Sequence, residues 1–596
     1  MPIKRWPSLT AMFYEQAATF ANKPFLHAKS DGAWKTLSWR ETAEKVAKLA
    51  AGLERLGVGA GDRVVIVSEN RPEWFIADLA IMTLGAITVP AYTTYTARDY
   101  LHILENSGAK AAVVSTKSLA RTFLKAAHQS DDLEHTIVIE PTKIEQSLNV
   151  ALHDWDTVLS TEDADIGNCQ ARVATTSRDD IACLIYTSGT GGAPKGVMIH
   201  HGAILHNCEG AATVIKELGL KGNSFLSFLP LSHAYEHTAG QCLPLSLGAE
   251  IWYAESLDKL AANMAETKPT IMVVVPRLFE MLRTRISRSV LKGGGAKARL
   301  FERCIELGTR ISKGEKLSVK EKIENAVLSL VVRRKVKGQF GGRLKALVSG
   351  GAPLAPDVGY FFAALGLPLL QGYGQTEAGP VISVNPPSAP KLHTVGKIFE
   401  QSEVMIAEDG EILVRGEQVM KGYWRDERTT ERTIVNGWLH TGDIGRFDED
   451  GYLEITDRKK DIIVNDKGDN VSPQRIEGML ALEDEIAQAM VYGDRRPHLV
   501  GLIVPDVEWL AGWAKENGKE GGLKDLASDP DLRKALDTAV ARVNHRLSNL
   551  EKIRQFIIAP ESFTIENEQM TPTLKLRRHV VKEVYGEALE GLYKRG

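Results

Sequence analysis

Along the N-terminal part of the chain, short apolar runs rich in branched residues alternate with stretches whose apolar positions recur at helical spacing. Arg63–Val67 reads as a strand, and Glu73–Leu84 as the helix that follows it. Lys110–Ser115 and Thr136–Glu140 read as further strands, and Ile271–Val275 as a strand running into a helix over Arg277–Ile286. Parallel neighbours need a helical crossover, so the alternation predicts α/β layers with largely parallel sheets. From Gly410 the runs shorten between glycine turns. Glu411–Arg415 and Gly451–Thr456 then predict an antiparallel β subdomain. Beyond the charged run Asp457–Asp461, Ala487–Tyr492 and Leu499–Val504 read as paired strands around the Gly493–Pro497 turn. A helical pattern over Leu532–Leu547 and the apolar Phe556–Ala559 follow. That is a small α+β unit. The expected division is a large N-terminal domain over 1–456, a linker at 457–461 and a C-terminal domain over 462–596.

The length, 596 residues with 43% hydrophobic, supports this multi-domain reading. Charge is nearly balanced, at 73 Lys plus Arg against 76 Asp plus Glu, and no basic stripe is interleaved with aromatics. No nucleic-acid partner is expected. Five cysteines without close spacing point to a reducing compartment and a cytoplasmic chain. Charges and a proline within Met1–Pro7 argue against a secretory leader, and Asp78, Thr83 and Pro90 interrupt the best apolar segment, Phe75–Tyr92. One stretch departs from the balance. Val290–Lys337 looks helical, with Gly293–Gly295 as a loop, and the region 283–337 is basic. It reads either as a solvated face or as a surface for anionic lipid headgroups at the inner membrane. Whether the chain is monomeric or a homodimer stays open.

The strongest chemical signal is Tyr186-Thr187-Ser188-Gly189-Thr190-Gly191-Gly192-Ala193-Pro194-Lys195-Gly196, directly after the apolar strand Ile181–Ile185. Glycines let backbone N–H groups approach an anion, hydroxyls add donors and Lys195 adds charge, which suits nucleotide phosphates. The Walker pattern is absent, because no Ser or Thr follows the lysine. Downstream come Phe228-Leu229-Pro230-Leu231-Ser232-His233, Ser349-Gly350-Gly351-Ala352-Pro353-Leu354 after the strand Leu344–Val348, and Gln371-Gly372-Tyr373-Gly374-Gln375-Thr376-Glu377. Gly437-Trp438-Leu439-His440-Thr441-Gly442-Asp443, the Asp457–Asp461 run and Thr571-Pro572-Thr573-Leu574-Lys575-Leu576 complete the series. Tyr373 offers an aromatic face, Glu377 a hard oxygen ligand suited to Mg²⁺, and Asp443 a carboxylate able to accept from two hydroxyls. Read alone, His233 has the alternative of a satisfied core histidine, and the charge run that of a solvated linker.

Taken in order, these strings resemble the adenylate-forming superfamily of acyl-CoA synthetases, luciferases and peptide-synthetase adenylation domains. The family usually carries Thr where this chain has Gly191. The resemblance implies ATP, Mg²⁺ and coenzyme A, and a C-terminal domain that is mobile about 457–461. It implies that Thr187, Ser188, Gly189, Thr190 and Lys195 hold phosphates, with Thr187 and Glu377 near the metal. Gly350, Gly351, Ala352, Gly372 and Tyr373 would face adenine, Thr376 the α-phosphate, and Asp443 and Arg458 the ribose. Lys460 would be the pivot. His233 would sit by the carboxylate, and Lys575 would be the catalytic lysine. The strings around Leu229–Glu236 and Val274–Phe279 are similar to the long-chain fatty acid–CoA ligase branch. A medium-chain or aryl-acid ligase, a fatty-acyl-AMP ligase serving a carrier protein, and a non-catalytic acyl or acyl-AMP binder are the alternatives.

Overall fold

The computed structural model describes residues 4–141, 149–160, 164–187, 193–219, 222–292, 294–467, 469–571 and 575–594. Two large sheets make up most of the N-terminal domain. In the first, the strands Ala151–Asp154, His135–Val138, Ala111–Val114, Arg63–Val67, Ile87–Ala91 and Ile181–Thr187 lie side by side in that order and run parallel. Lys195–His200 closes the edge antiparallel to Ile181–Thr187. The crossover between Arg63–Val67 and Ile87–Ala91 is the helix Pro72–Thr83. It opens on proline, which suits a first helical turn, and it is buried along nearly its whole length. This burial explains the apolar Phe75–Tyr92 segment as core. No helix among the described residues is long and apolar enough to cross a membrane.

The second sheet has a parallel centre, in the order Leu369–Gly374, Ala346–Ser349, Ile271–Val274, Ser224–Ser227, Glu250–Tyr253 and Pro24–Ser30, with antiparallel strands at both edges. One hydrophobic core joins the two sheets. Phe25 stacks on Trp39 with centroids 3.5 Å apart, and Trp74 and Phe75 fill the space beside them. The antiparallel subdomain follows, built on the long strand Trp438–Phe447, which pairs with Glu411–Arg415 and Leu453–Arg458. In the C-terminal domain, Leu499–Pro505 sits between antiparallel Ile486–Tyr492 and parallel Ile553–Ile558, with the helices Pro530–His545 and Arg578–Tyr593 packed on it. Phe556 thus belongs to a strand.

The basic stretch is helical but less free than its composition suggests. The helix expected over Arg277–Ile286 runs from Pro276 to Lys292, and a second covers Gly295–Ser312. Arg288 reaches the C-terminal domain, at 2.7 Å from Glu508 and 3.3 Å from Asp506. Arg303 and Arg310 pair with glutamates within the helical layer. All five cysteines are free thiols.

Candidate active site

A parallel strand exposes its last N–H and C=O groups at its carboxyl end, and loops leaving those ends form the natural crevice of an open α/β sheet. Here both sheets use that edge. Asn70 follows Arg63–Val67, the phosphate loop follows Ile181–Thr187, and Leu229–His233 follows Ser224–Ser227. Gly350–Ala352 follows Ala346–Ser349, and Gly372–Glu377 ends the strand Leu369–Gly374 and turns through a short 3₁₀ segment. The expected site residues up to Glu377 therefore leave the carboxyl edges of these two sheets, while Asp443 and Arg458 come from the antiparallel subdomain and Lys575 from the C-terminal domain. Ser188, Gly189, Thr190 and Gly191 lie outside the described residues; Thr187 and Lys195 flank them as cross-strand partners.

Lys195 is held from the far side. Its Nζ lies 3.2 Å from Thr429 Oγ1, 3.7 Å from Asp426 Oδ2, and over the ring of Tyr423. The Tyr423 hydroxyl in turn donates to Glu377 Oε1 at 2.9 Å, and Met420 N–H donates to the Glu377 carbonyl. Tyr423 therefore links the lysine of the phosphate loop to the expected metal carboxylate. The motif reading gave it no role. No hydrogen bond engages Glu377 Oε2 among the described residues.

Asp443 is almost fully buried. It accepts from the Tyr373 hydroxyl at 2.6 Å and from Arg458 Nε at 3.1 Å, so the three residues form one chain of charge-assisted bonds. Strand register sets this pairing, since Asp443 stands opposite Arg458. Gly350 has no room for a side chain: a Cβ would sit 2.9 Å from the Tyr235 ring, whose hydroxyl donates to Val348 C=O at 2.9 Å. Gly351 adopts φ +81°, which favours glycine, and Ala352 is exposed at the rim. Thr376 and Gly372 are half-buried beside them. Lys460 is exposed just past the Asp443–Arg458 pair.

His233 Nδ1 accepts from the Tyr235 backbone N–H at 3.2 Å, capping the short helix that follows. Burial, and secondly the charge of Lys575, push its pKa down to about 3. A neutral ring with Nδ1 accepting carries its proton on Nε2, which leaves that nitrogen a hydrogen-bond donor. Lys575 comes from the C-terminal domain. Its backbone is pinned by Thr571, whose N–H donates to Lys575 C=O at 2.8 Å and whose Oγ1 accepts from Lys575 N–H at 3.0 Å. Desolvation among the flanking groups, then Arg458, lower the Lys575 pKa to about 8, against the pull of Asp443 and Glu377. Solvent still reaches the side chain. These couplings place Lys575 in one electrostatic neighbourhood with His233, Arg458, Asp443 and Glu377.

Two further residues were passed over in the sequence. Asn70 Nδ2 donates to Leu229 C=O at 2.6 Å and to Ser227 Oγ at 3.0 Å, while its Oδ1 accepts from Leu231 N–H at 3.2 Å. One amide thus clamps the loop that ends in His233 and ties the first sheet to the second. Its place just beyond a parallel strand was the available signal. Glu236 is fully buried, in space that a Cβ on Gly240 would fill, and burial pushes its pKa up to about 8.

Comparison with known proteins agrees with this architecture. The family model described as AMP-binding enzyme matches residues 13–424, and that of the AMP-binding enzyme C-terminal domain matches 460–596. The chain is 35% identical over 598 residues to the long-chain-fatty-acid–CoA ligase FadD15 of Mycobacterium tuberculosis, covering 99% of this chain and 97% of that one. It is 30% identical over 591 residues to long-chain-fatty-acid–CoA ligase 6 of Mus musculus, covering 95% and 83%. Among solved structures, the adenylation domain of a carboxylate reductase from Mycobacterium chelonae superposes with TM-score 0.75 at 21% identity, covering 99% of this chain and 92% of that one. That likeness is one of fold. With both domains matched in sequence and the two-sheet cleft in place, the chain belongs to the AMP-binding enzyme family.

Proposed function

We propose that this chain is a long-chain fatty acid–CoA ligase, converting ATP, fatty acid and CoA into acyl-CoA, AMP and diphosphate through an acyl-adenylate. The observation that carries the reading is the bonding of the motif residues into one site, Tyr373 and Arg458 both on Asp443 and Lys195 linked through Tyr423 to Glu377, with Lys575 of the C-terminal domain electrostatically coupled to Asp443, Arg458 and Glu377. The full-length similarity to long-chain ligases supports the substrate class.

In the first half-reaction a carboxylate oxygen of the acid attacks the α-phosphorus, the bond to the β-phosphate breaks and pyrophosphate leaves. Little covalent work falls to the protein, so positioning and charge neutralisation dominate. His233 donates through Nε2 to an oxygen of the acid. Lys575 and Thr376 neutralise charge at the α-phosphate, and Lys195 holds the outer phosphates with Thr187, Ser188, Gly189 and Thr190. Asp443, with Arg458 beside it, accepts from the ribose, while Tyr373, Gly372, Gly350, Gly351 and Ala352 frame the base. Glu377, with one oxygen on Tyr423 and the other unengaged, fits Mg²⁺ together with the hydroxyl of Thr187. That ion favours few protein oxygens alongside phosphate and water. Bound there, it would offset phosphate charge.

In the second half-reaction the small domain turns about 457–461, with Lys460 at the pivot, and Lys575 leaves the cleft. The CoA sulfur attacks the acyl carbonyl, its proton passes to solvent, and the bond to AMP breaks. A cytoplasmic enzyme with peripheral membrane contact completes the reading. The test is pyrophosphate release with acids of graded length, with and without CoA, beside Lys575→Ala. CoA-dependent turnover of long acids that the variant loses is expected. Pyrophosphate without thioester would favour the carrier-protein ligase, and no pyrophosphate with any acid would favour a non-catalytic binder.

A further inference from the structure

The helix Val319–Leu328, the π-turn Ser329–Arg333 and the helix Arg334–Gln339 run on as one rod at the outside of the N-terminal domain. Its inner side is firmly seated. Leu328 is buried with Cys304 and Leu307, and the buried Arg333 donates to Ala364 C=O at 2.6 Å and to Asn325 Oδ1 at 2.8 Å. The two acids of the rod are also engaged: Glu321 binds Arg310 at 2.6 Å and Glu324 binds Arg303 at 3.0 Å.

The outer side is the reverse of what a solvated face requires. Val319, Ile323, Val327, Leu330 and Val331 are 75, 64, 52, 69 and 54% exposed. Their spacing sets them along one helical face, which the widened turn carries on through Leu330 and Val331. Lys320, Lys322, Arg334, Lys335 and Lys337 are exposed around that face, and no ion pair engages them among the described residues. A large apolar stripe rimmed by unneutralised cations marks a surface that is covered in use.

A second copy of the chain is a poor occupant. The cations sit at both ends of the stripe, so two such rods packed face to face oppose like charges in either orientation. An anionic bilayer takes both features at once, with aliphatic side chains at the headgroup–acyl boundary and ammonium and guanidinium groups at the level of the phosphates.

We propose that this face, centred on Ile323, Val327 and Leu330, docks the enzyme on an anionic phospholipid bilayer. The inference deepens the functional reading only in giving a ligase access to acids dissolved in lipid. Its test reads binding rather than turnover, so the two fail separately.

The full chain is centrifuged with phosphatidylglycerol-containing vesicles or with phosphatidylcholine vesicles, at low and high salt. Binding to the anionic vesicles that weakens with salt is expected. The variant R334E/K335E/K337E should bind about a hundredfold more weakly, and I323S/L330S at least about tenfold more weakly. Circular dichroism and turnover of a detergent-dispersed acid should stay unchanged in both. In Ile323→Trp, bromine-labelled lipids should quench the new indole. Equal binding by the wild type and both variants, or no quenching of the bound Ile323→Trp protein, overturns the proposal. So does a wild-type dimer that I323S/L330S turns monomeric without change in vesicle binding, which would assign the stripe to protein contact.

Discussion

Replacing Asn70 with alanine tests whether the cleft depends on a residue that touches none of the reacting atoms. The half-buried amide makes three hydrogen bonds, to the buried residues Ser227, Leu229 and Leu231. Each buried group left unpaired costs about 1–3 kcal/mol. The cavity of about 230 Å³ lined by Asn70, Phe228, Pro230 and Ser232 admits water, which recovers part of that cost. A net loss of about 2–3 kcal/mol is the working figure. If it falls on the equilibrium between the seated and unseated loop, the ratio of seated to unseated His233 drops by a factor of roughly thirty to a hundred. Initial rates of pyrophosphate release should then show kcat/KM for the fatty acid down by that factor. KM for ATP should change by less than about threefold, because Tyr373, Asp443 and Arg458 sit on other elements. Asn70→Asp keeps the acceptor for Leu231 N–H but sets a carboxylate against Leu229 C=O, and should be no better than alanine. A normal kcat/KM for the acid in Asn70→Ala, or an equal fall for acid and ATP, would refute the clamp.

The other predictions concern charge. Lys575 titrates near 8 instead of 10.5, so its positive charge disappears as pH rises through about 8. Pyrophosphate release should decline over that range, and the residual activity of Lys575→Arg should lack the decline; an unchanged alkaline limb counts against the assignment. Tyr423→Phe removes the donor to Glu377 and should lower the rate about tenfold while raising the Mg²⁺ concentration needed for half-maximal rate, with KM for the acid unmoved. Glu236 has a folded pKa of about 8 against an ordinary 4.5, so the unfolded chain releases this proton first and stability falls as pH rises between those values. Glu236→Gln should abolish that loss, and its unfolding free energy from urea titration should pull ahead of the wild type by pH 8, by up to about 4–5 kcal/mol. A gap that stays constant from pH 5 to about 8 would show that Glu236 is already ionised.

The parallel sheets and most of the cleft were legible because their information is local. A strand end followed by glycines and hydroxyls at Thr187–Lys195, or by the aromatic and carboxylate of Tyr373–Glu377, states its chemistry within a dozen residues. Asn70 and Tyr423 were not legible. Their importance lies in partners 157 and 46 residues away, and a lone amide or phenol has no periodicity. The basic stretch was legible in charge but not in use. Composition treats Arg288, Arg303, Arg310 and Arg333 alike with Lys335, while the fold turns those four into internal or interdomain bonds and leaves an apolar stripe outside. Element ends also drifted, as in Pro276–Lys292, where a helix continues past its apolar pattern on tertiary support.

The register that sets Asp443 opposite Arg458 has a further consequence. In the mechanism proposed above, Asp443 and Arg458 both stay with the large domain, and so does Lys459, whose Nζ lies 2.6 Å from Asp409 and 3.0 Å from Glu411; the turn would begin only beyond it, at Lys460. On that proposal, turning the small domain would withdraw Lys575 without loosening the hold on the nucleotide. The two steps can share a single tenancy: the activated acyl group waits, tethered through its AMP, while the tool that made it is exchanged for the opening that consumes it. The proposed mixed anhydride would then not be handed to water between the steps, and the safeguard would be one rung of a β-ladder.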